Sequence, residues 1–111
     1  MTIPYHDAHG RPLVAVTGMG LVTSLGRGKA DNWARLTAGQ SGIHRITRFP
    51  VAGLRTTIAG TVDDLFEGSF AAPELSERLA VLAAEEAIAQ SGLGQPGDFP
   101  GALFMAVPPV E

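Results

Sequence analysis

Three His, a serine at position 24, the adjacent carboxylates Glu85 and Glu86, and four Gly between residues 18 and 28 are the features of this 111-residue chain whose types and spacing could do chemistry. A Gly-rich turn after an apolar run and before a helix is where nucleotide phosphates are often cradled. Here the spacing refuses that use. Gly18-x-Gly20 meets Thr23 where the dinucleotide fingerprint requires a third Gly, and Gly26-x-Gly28 meets Asp31. Gly28-Lys29-Ala30 offers no hydroxyl for a magnesium ion at P-loop spacing. The turn is therefore read as close backbone packing or a shaped loop.

The other features fare no better as catalysts. His6, His9 and His44 have no partner Asp, Glu or Cys at ligand spacing, so they are read as solvated side chains and not as metal ligands. Glu85 and Glu86 are consecutive on a helix and point about 100° apart, which does not aim two carboxylates at one substrate. They are read as surface charges. Ser24 sits in Val22-Thr23-Ser24-Leu25-Gly26, which has Val where a nucleophile elbow needs its first Gly, and so reads as a turn or packing residue. With zero Cys, the chain has no thiol nucleophile, no thiolate metal site and no disulfide. No residue is assigned a catalytic, cofactor-binding or metal-binding role, and no cofactor is expected.

Composition narrows the partners. Eight Lys+Arg against eleven Asp+Glu leave a net charge of −3, and the basic residues are scattered singly, which argues against nucleic acid and against acidic lipid surfaces. No apolar run approaches the roughly 20 residues that span a bilayer, and the first ten residues lack the cationic and apolar regions of a signal peptide. A cytoplasmic location is expected.

The elements that would position these residues follow from periodicity and punctuation. Residues 1–11 are polar and irregular and read as a flexible leader, with one domain over 12–111. Leu13-Val14-Ala15-Val16-Thr17 is an unbroken apolar run, the pattern of a strand covered on both faces in a parallel sheet. Residues 29–38 read as a helix with Trp33 as its anchor and Gly39 as its stop. Residues 40–54 read as a surface connection and 55–62, rich in β-branched residues, as an edge strand. A link over 63–72 with room for one helical turn leads into a helix opened by Pro73 and closed by Gly92. Leu75, Leu79 and Leu82 form one stripe on that helix while Val81 and Ile88 lie opposite, so cover on more than one side is expected. A Gly/Pro-rich turn over 93–100 precedes a third apolar strand over 102–107, ended by Pro108-Pro109. The sum is an α/β chain of three strands and two main helices.

At this point the residues resemble a known family. Val14-Ala15-Val16-Thr17-Gly18-Met19-Gly20-Leu21-Val22-Thr23-Ser24-Leu25-Gly26, followed by Trp33 and Leu36-Thr37-Ala38-Gly39-Gln40-Ser41-Gly42-Ile43, resembles the opening of β-ketoacyl-[acyl-carrier-protein] synthases. Ala59-Gly60 and Ala87-x-x-x-Ser91-Gly92-Leu93 fit the same family in the same order. Phe70-Ala71-Ala72-Pro73-Glu74-Leu75 departs from an Arg- and Asp-containing segment of many members, and Pro108-Pro109-Val110 from a Gly-rich one.

The resemblance implies an incomplete N-terminal portion of a thiolase-like, layered αβαβα fold, whose complete chains are several times longer and usually pair as homodimers. It implies condensation of an acyl thioester with malonyl-acyl carrier protein in fatty-acid or polyketide synthesis. In the family a Cys at a helix N-terminus takes the acyl group and two His assist decarboxylation and carbon–carbon bond formation, all beyond position 111. The expectation is thus a truncated piece that is inactive alone, with acyl carrier protein and a second synthase subunit as partners. The alternative is a non-catalytic module that binds a synthase subunit or carrier protein.

Overall fold

The structure is a computed structural model that describes residues 5–62, 65–95 and 97–106. Along the chain lie β1 (Val22–Thr23), β2 (Gly26–Arg27), α1 (Gly28–Thr37), β3 (Ile43–Arg45), β4 (Ile58–Gly60) and α2 (Ala72–Ser91). The chain is mixed α/β, as expected, but its described strands form two antiparallel pairs, β1 with β2 and β3 with β4.

Both helices follow local signals. In α1, Asp31 reaches back to accept the Arg27 N–H at 3.1 Å and pairs with Arg35 one turn on at 3.0 Å. It thereby places negative charge at the positive end of the helix. Gly39, at φ 70°, takes the left-handed conformation that ends α1, while its N–H and those of Ala38 and Gln40 turn back onto the carbonyls of Leu36, Ala34 and Arg35. In α2, Pro73 occupies the first turn, where its missing N–H costs no helical hydrogen bond, and Gly92 closes the helix at φ 69°. Its 20 residues make a rod about 30 Å long.

β1 and β2 form a two-residue hairpin with Val22 opposite Arg27 and Thr23 opposite Gly26. β3 and β4 pair Ile43 with Gly60, His44 with Ala59 and Arg45 with Ile58, and the Ile46 N–H extends the ladder to the Thr57 carbonyl at 2.9 Å. β3 lies inside residues 40–54, expected to be a bare connection, and the strand expected over 55–62 contracts to its centre. The loop over 18–28 likewise contains the β1–β2 hairpin. A two- or three-residue strand carries little periodicity, so only its partner reveals it.

The apolar runs expected as two further strands belong to no sheet among the described residues. In 13–17, Leu13 donates its N–H to the Tyr5 carbonyl at 2.9 Å, after an isolated bridge of His6 with Pro12; Val14 and Val16 are 93% and 82% exposed. In 102–106, Phe104 is 92% exposed; Val107 and the Pro108-Pro109 stop lie outside the described residues. A run with two apolar faces becomes a strand only when neighbours satisfy its edges and layers cover its faces, and neither is present among the described residues.

Residues 5–13 are shaped by one carboxylate, while residues 1–4 of the expected leader are outside the description. Asp7 accepts the N–H groups of His9 at 2.8 Å and Arg11 at 3.0 Å and the Arg11 Nε–H at 2.7 Å. In the expected link, where 63 and 64 are not described, the Leu65 N–H closes one turn onto the Val62 carbonyl at 3.1 Å.

Among the described residues only Gly26, Asn32, Gly42 and Leu75 are buried. The radius of gyration is 18.3 Å, against about 13 Å for a compact domain of this length. The accessible surface is 8844 Å², about half as much again as the roughly 5,800 Å² of a folded monomer of this size. The hydrophobic driving force of the chain is thus largely unspent.

Candidate functional site

The densest set of directed contacts lies where the 18–29 segment, α1 and α2 meet. Gly18 and Gly20 press onto the middle of α2. A Cβ at Gly18 would fall 2.0 Å from the Ala87 carbonyl oxygen, and one at Gly20 would fall 1.7 Å from that of Ala83. These two glycines permit close backbone approach to a helix with small side chains, so the packing reading of the Gly-rich turn holds.

On either side of this contact, α2 side chains act as the edge of a missing strand. Gln90 Oε1 accepts the Met19 N–H at 2.8 Å and Glu86 Oε2 the Leu21 N–H at 2.9 Å. Glu86 Oε1 also accepts the Lys29 N–H at 2.9 Å, at the start of α1. Lys29 Nζ completes the set by donating to the Met19 carbonyl and to Gln90 Oε1, the latter at 3.0 Å, with Glu86 Oε1 3.5 Å away. The N–H groups of Lys29 and then Leu21, followed by the Lys29 charge, hold the Glu86 carboxyl below its ordinary value despite an opposing contribution from burial. Glu86 is therefore not the plain surface charge expected; Glu85 beside it is exposed. The sequence hides this role because the partners are main-chain groups 65 and 57 residues away.

Asn32 locks the hairpin to α1. Its Nδ2 donates to the carbonyls of Gly26 at 2.9 Å and Gly28 at 2.8 Å, and its Oδ1 accepts the Thr23 hydroxyl. At the hairpin tip, Ser24 bears on the second strand pair: a Cβ at Gly42 would lie 2.5 Å from Ser24 Oγ, and one at Gly60 3.1 Å from it. Ser24, expected as a turn or packing residue, stands in the β1–β2 turn and lies close to both glycines.

Beside this junction, Met19, Leu21, Leu25, Trp33 and Leu36 line an open apolar groove whose polar margin is Lys29, Asn32 and Thr23. Trp33 is 67% exposed there, so the helix anchor has nothing described to anchor to. A second surface groove stacks Arg27 over Phe66 at 5.3 Å and Arg78 over Phe70 at 4.1 Å. Glu67, Glu74 and Glu77 share its walls, so it has no net positive field.

The three His do not converge. His6 and His9 are exposed near the beginning of the described chain, and His44 is half-buried on β3. Among the described residues, no three His, Cys, Asp or Glu side chains are grouped to hold a metal ion. No described helix is long and apolar enough to cross a membrane. What the junction does chemically is hold backbone in place with a carboxylate, two amides and an ammonium.

Residues 12–107 match the family model described as Beta-ketoacyl synthase, N-terminal domain. Relatives include 3-oxoacyl-[acyl-carrier-protein] synthase 2 of Coxiella burnetii, 45% identical over 51 residues, covering 46% of this chain and 12% of that protein. The tetracenomycin polyketide synthase ketoacyl synthase alpha subunit of Streptomyces glaucescens is 35% identical over 91 residues, 77% of this chain and 21% of that one. The chloroplastic 3-oxoacyl-[acyl-carrier-protein] synthase II of Arabidopsis thaliana is 35% identical over 86 residues, 72% of this chain and 16% of that one. The chain thus spans between about an eighth and a fifth of the length of these relatives. The match across 12–107 carries the Gly-rich turn, both helices and the Glu86 contact, and the chain belongs to the β-ketoacyl synthase N-terminal domain family.

Proposed function

We propose that this chain supplies N-terminal scaffold to a β-ketoacyl synthase of fatty-acid or polyketide chain elongation and performs no condensation by itself. The observation that carries the reading is the absence of any Cys from the 111 residues, combined with a junction in which Glu86, Gln90 and Asn32 are engaged in holding backbone. Acyl transfer from a carrier-protein thioester needs a nucleophile that this chain does not contain. Incubation with acylated and malonyl-loaded carrier protein is expected to yield no condensation product; turnover above background would overturn the reading. The cytoplasmic location, expected from the sequence, and the homodimeric or paired-subunit state, implied by the family resemblance, belong to the same proposal.

A second reading, a non-catalytic module that binds a synthase subunit or carrier protein, is favoured by the exposure of Val14, Val16 and Phe104 on segments that join no strand pair among the described residues. Such edges accept a strand from another chain. Pull-down with either partner tests it, and a monomer that ignores both removes it.

A further inference from the structure

Glu86 is placed so that both carboxylate oxygens are needed. Oε2 accepts from Leu21 at 2.9 Å and Oε1 from Lys29 at 2.9 Å, the first donor in the segment before β1 and the second in the first turn of α1, two places joined also by the Gly28 N–H on the Leu21 carbonyl at 2.8 Å. An ionised carboxylate accepts at both oxygens, whereas a protonated one carries an O–H donor on one of them, which would face an N–H donor. Met19, two residues earlier, hangs instead on Gln90, a side chain that does not titrate. Met19, Leu21 and Lys29 all line the apolar groove beside Trp33.

We propose that Glu86 is an acid-releasable latch: protonation detaches either Leu21 or Lys29 from α2 and reshapes the apolar groove, while Gln90 keeps Met19 in place. Among the described residues, the charged groups around it leave the carboxylate facing the Lys29 ammonium. Lys29 of α1 faces it at 3.5 Å. Arg27 of β2 turns away to the Leu65 carbonyl and the Phe66 ring, and Asp31 of α1 is taken by Arg35 and the Arg27 N–H. On α2 itself, neighbouring Glu85 is exposed. The depressed Glu86 titration fits this arrangement, since acceptance of two N–H groups favours the charged form.

The test is an NMR titration of the full chain from pH 7 into acid, following the Glu86 side-chain carboxyl carbon and the amides of Met19, Leu21, Lys29, Ile43 and Ile58. The Leu21 and Lys29 amides are expected to move with the Glu86 carboxyl at one midpoint, below the roughly 4.3 of a free Glu side chain, while Met19, Ile43 and Ile58 hold still. In Glu86→Gln the acid-dependent movement of Leu21 and Lys29 disappears. In Lys29→Met, which keeps the N–H and deletes the ammonium, the two amides still move together with a raised midpoint. Leu21 and Lys29 amides that ignore the Glu86 titration would overturn the proposal. So would loss of their coupling in Lys29→Met, which would make the latch an ion pair, or simultaneous collapse of Ile43 and Ile58, which would make the release global.

Discussion

Gly20 lies against the backbone of α2 so closely that a methyl group there would stand 1.7 Å from the Ala83 carbonyl oxygen. The obstacle is helix backbone, which cannot swing aside as a side chain can. Gly20→Ala is therefore expected to cost about 3 kcal/mol or more, at the upper end of overpacking. Gly39 has nothing within 4 Å of its virtual Cβ but a φ of 70°, so Gly39→Ala should cost only the left-handed strain of about 1–2 kcal/mol. Denaturant melts of the two variants check the order, and equal losses would refute the close-contact account.

Asn32 is the buried polar residue whose removal should be felt most widely. Asn32→Ala takes the amide partner from the buried Gly26 carbonyl and from the Thr23 hydroxyl, and removes a second bond to the Gly28 carbonyl, which keeps its helical N–H partner in α1. The expected loss is about 2–3 kcal/mol, from buried groups left unsatisfied. Asn32→Asp should be at least as damaging, because a carboxylate would face two carbonyl oxygens. Thermal unfolding by circular dichroism measures both.

Among the described carboxylates, Asp7 and Glu86 have lowered titrations and contribute to the acid response. Asp7 is lowered chiefly by the Arg11 N–H, against a burial effect, with help from the Arg11 side chain and His9 N–H; Glu86 is lowered chiefly by the Lys29 and Leu21 N–H groups. For a depressed carboxyl group the stabilisation is fully present above the unfolded-state value and is lost as pH falls through the folded-state value. Stability should therefore be flat near neutrality with respect to these groups and fall in acid, below the ordinary carboxylate range. In Asp7→Asn the acid dependence of the 7–11 turn should vanish while that of Leu21 and Lys29 persists. A stability that rises on acidification through this range would contradict the assignment.

Trp33, the single Trp, reports on the groove. At 67% exposure its fluorescence should be that of a hydrated indole, open to acrylamide quenching. A partner that covers Met19, Leu21 and Leu36 should shift the emission to the blue and protect it. Emission of a buried indole from the free chain would place other residues over the groove.

The helices were legible because their signals are local. Asp31 and Gly39 delimit α1, and Pro73 and Gly92 delimit α2, all within one turn of the ends they mark. The strands were not, since Ile43–Arg45 acquires its identity from Ile58–Gly60, and the apolar run over 13–17 reads as a strand whether or not anything pairs with it. Glu86 and Gln90 share one face of α2 by their spacing of four, but nothing near them in sequence announces that their partners are the Met19, Leu21 and Lys29 amides. Asn32 was hidden in the same way, as one polar residue in a helix with many. The Gly-rich turn was legible as close packing, though only the fold supplied what it packs on.

The proposal that the chain contributes scaffold and bears no acyl group is tested most directly by intact-mass spectrometry after incubation with acylated and malonyl-loaded carrier protein. An unchanged mass and no condensed acyl product are expected. A chain heavier by the acyl group, on any side chain, would contradict the proposal.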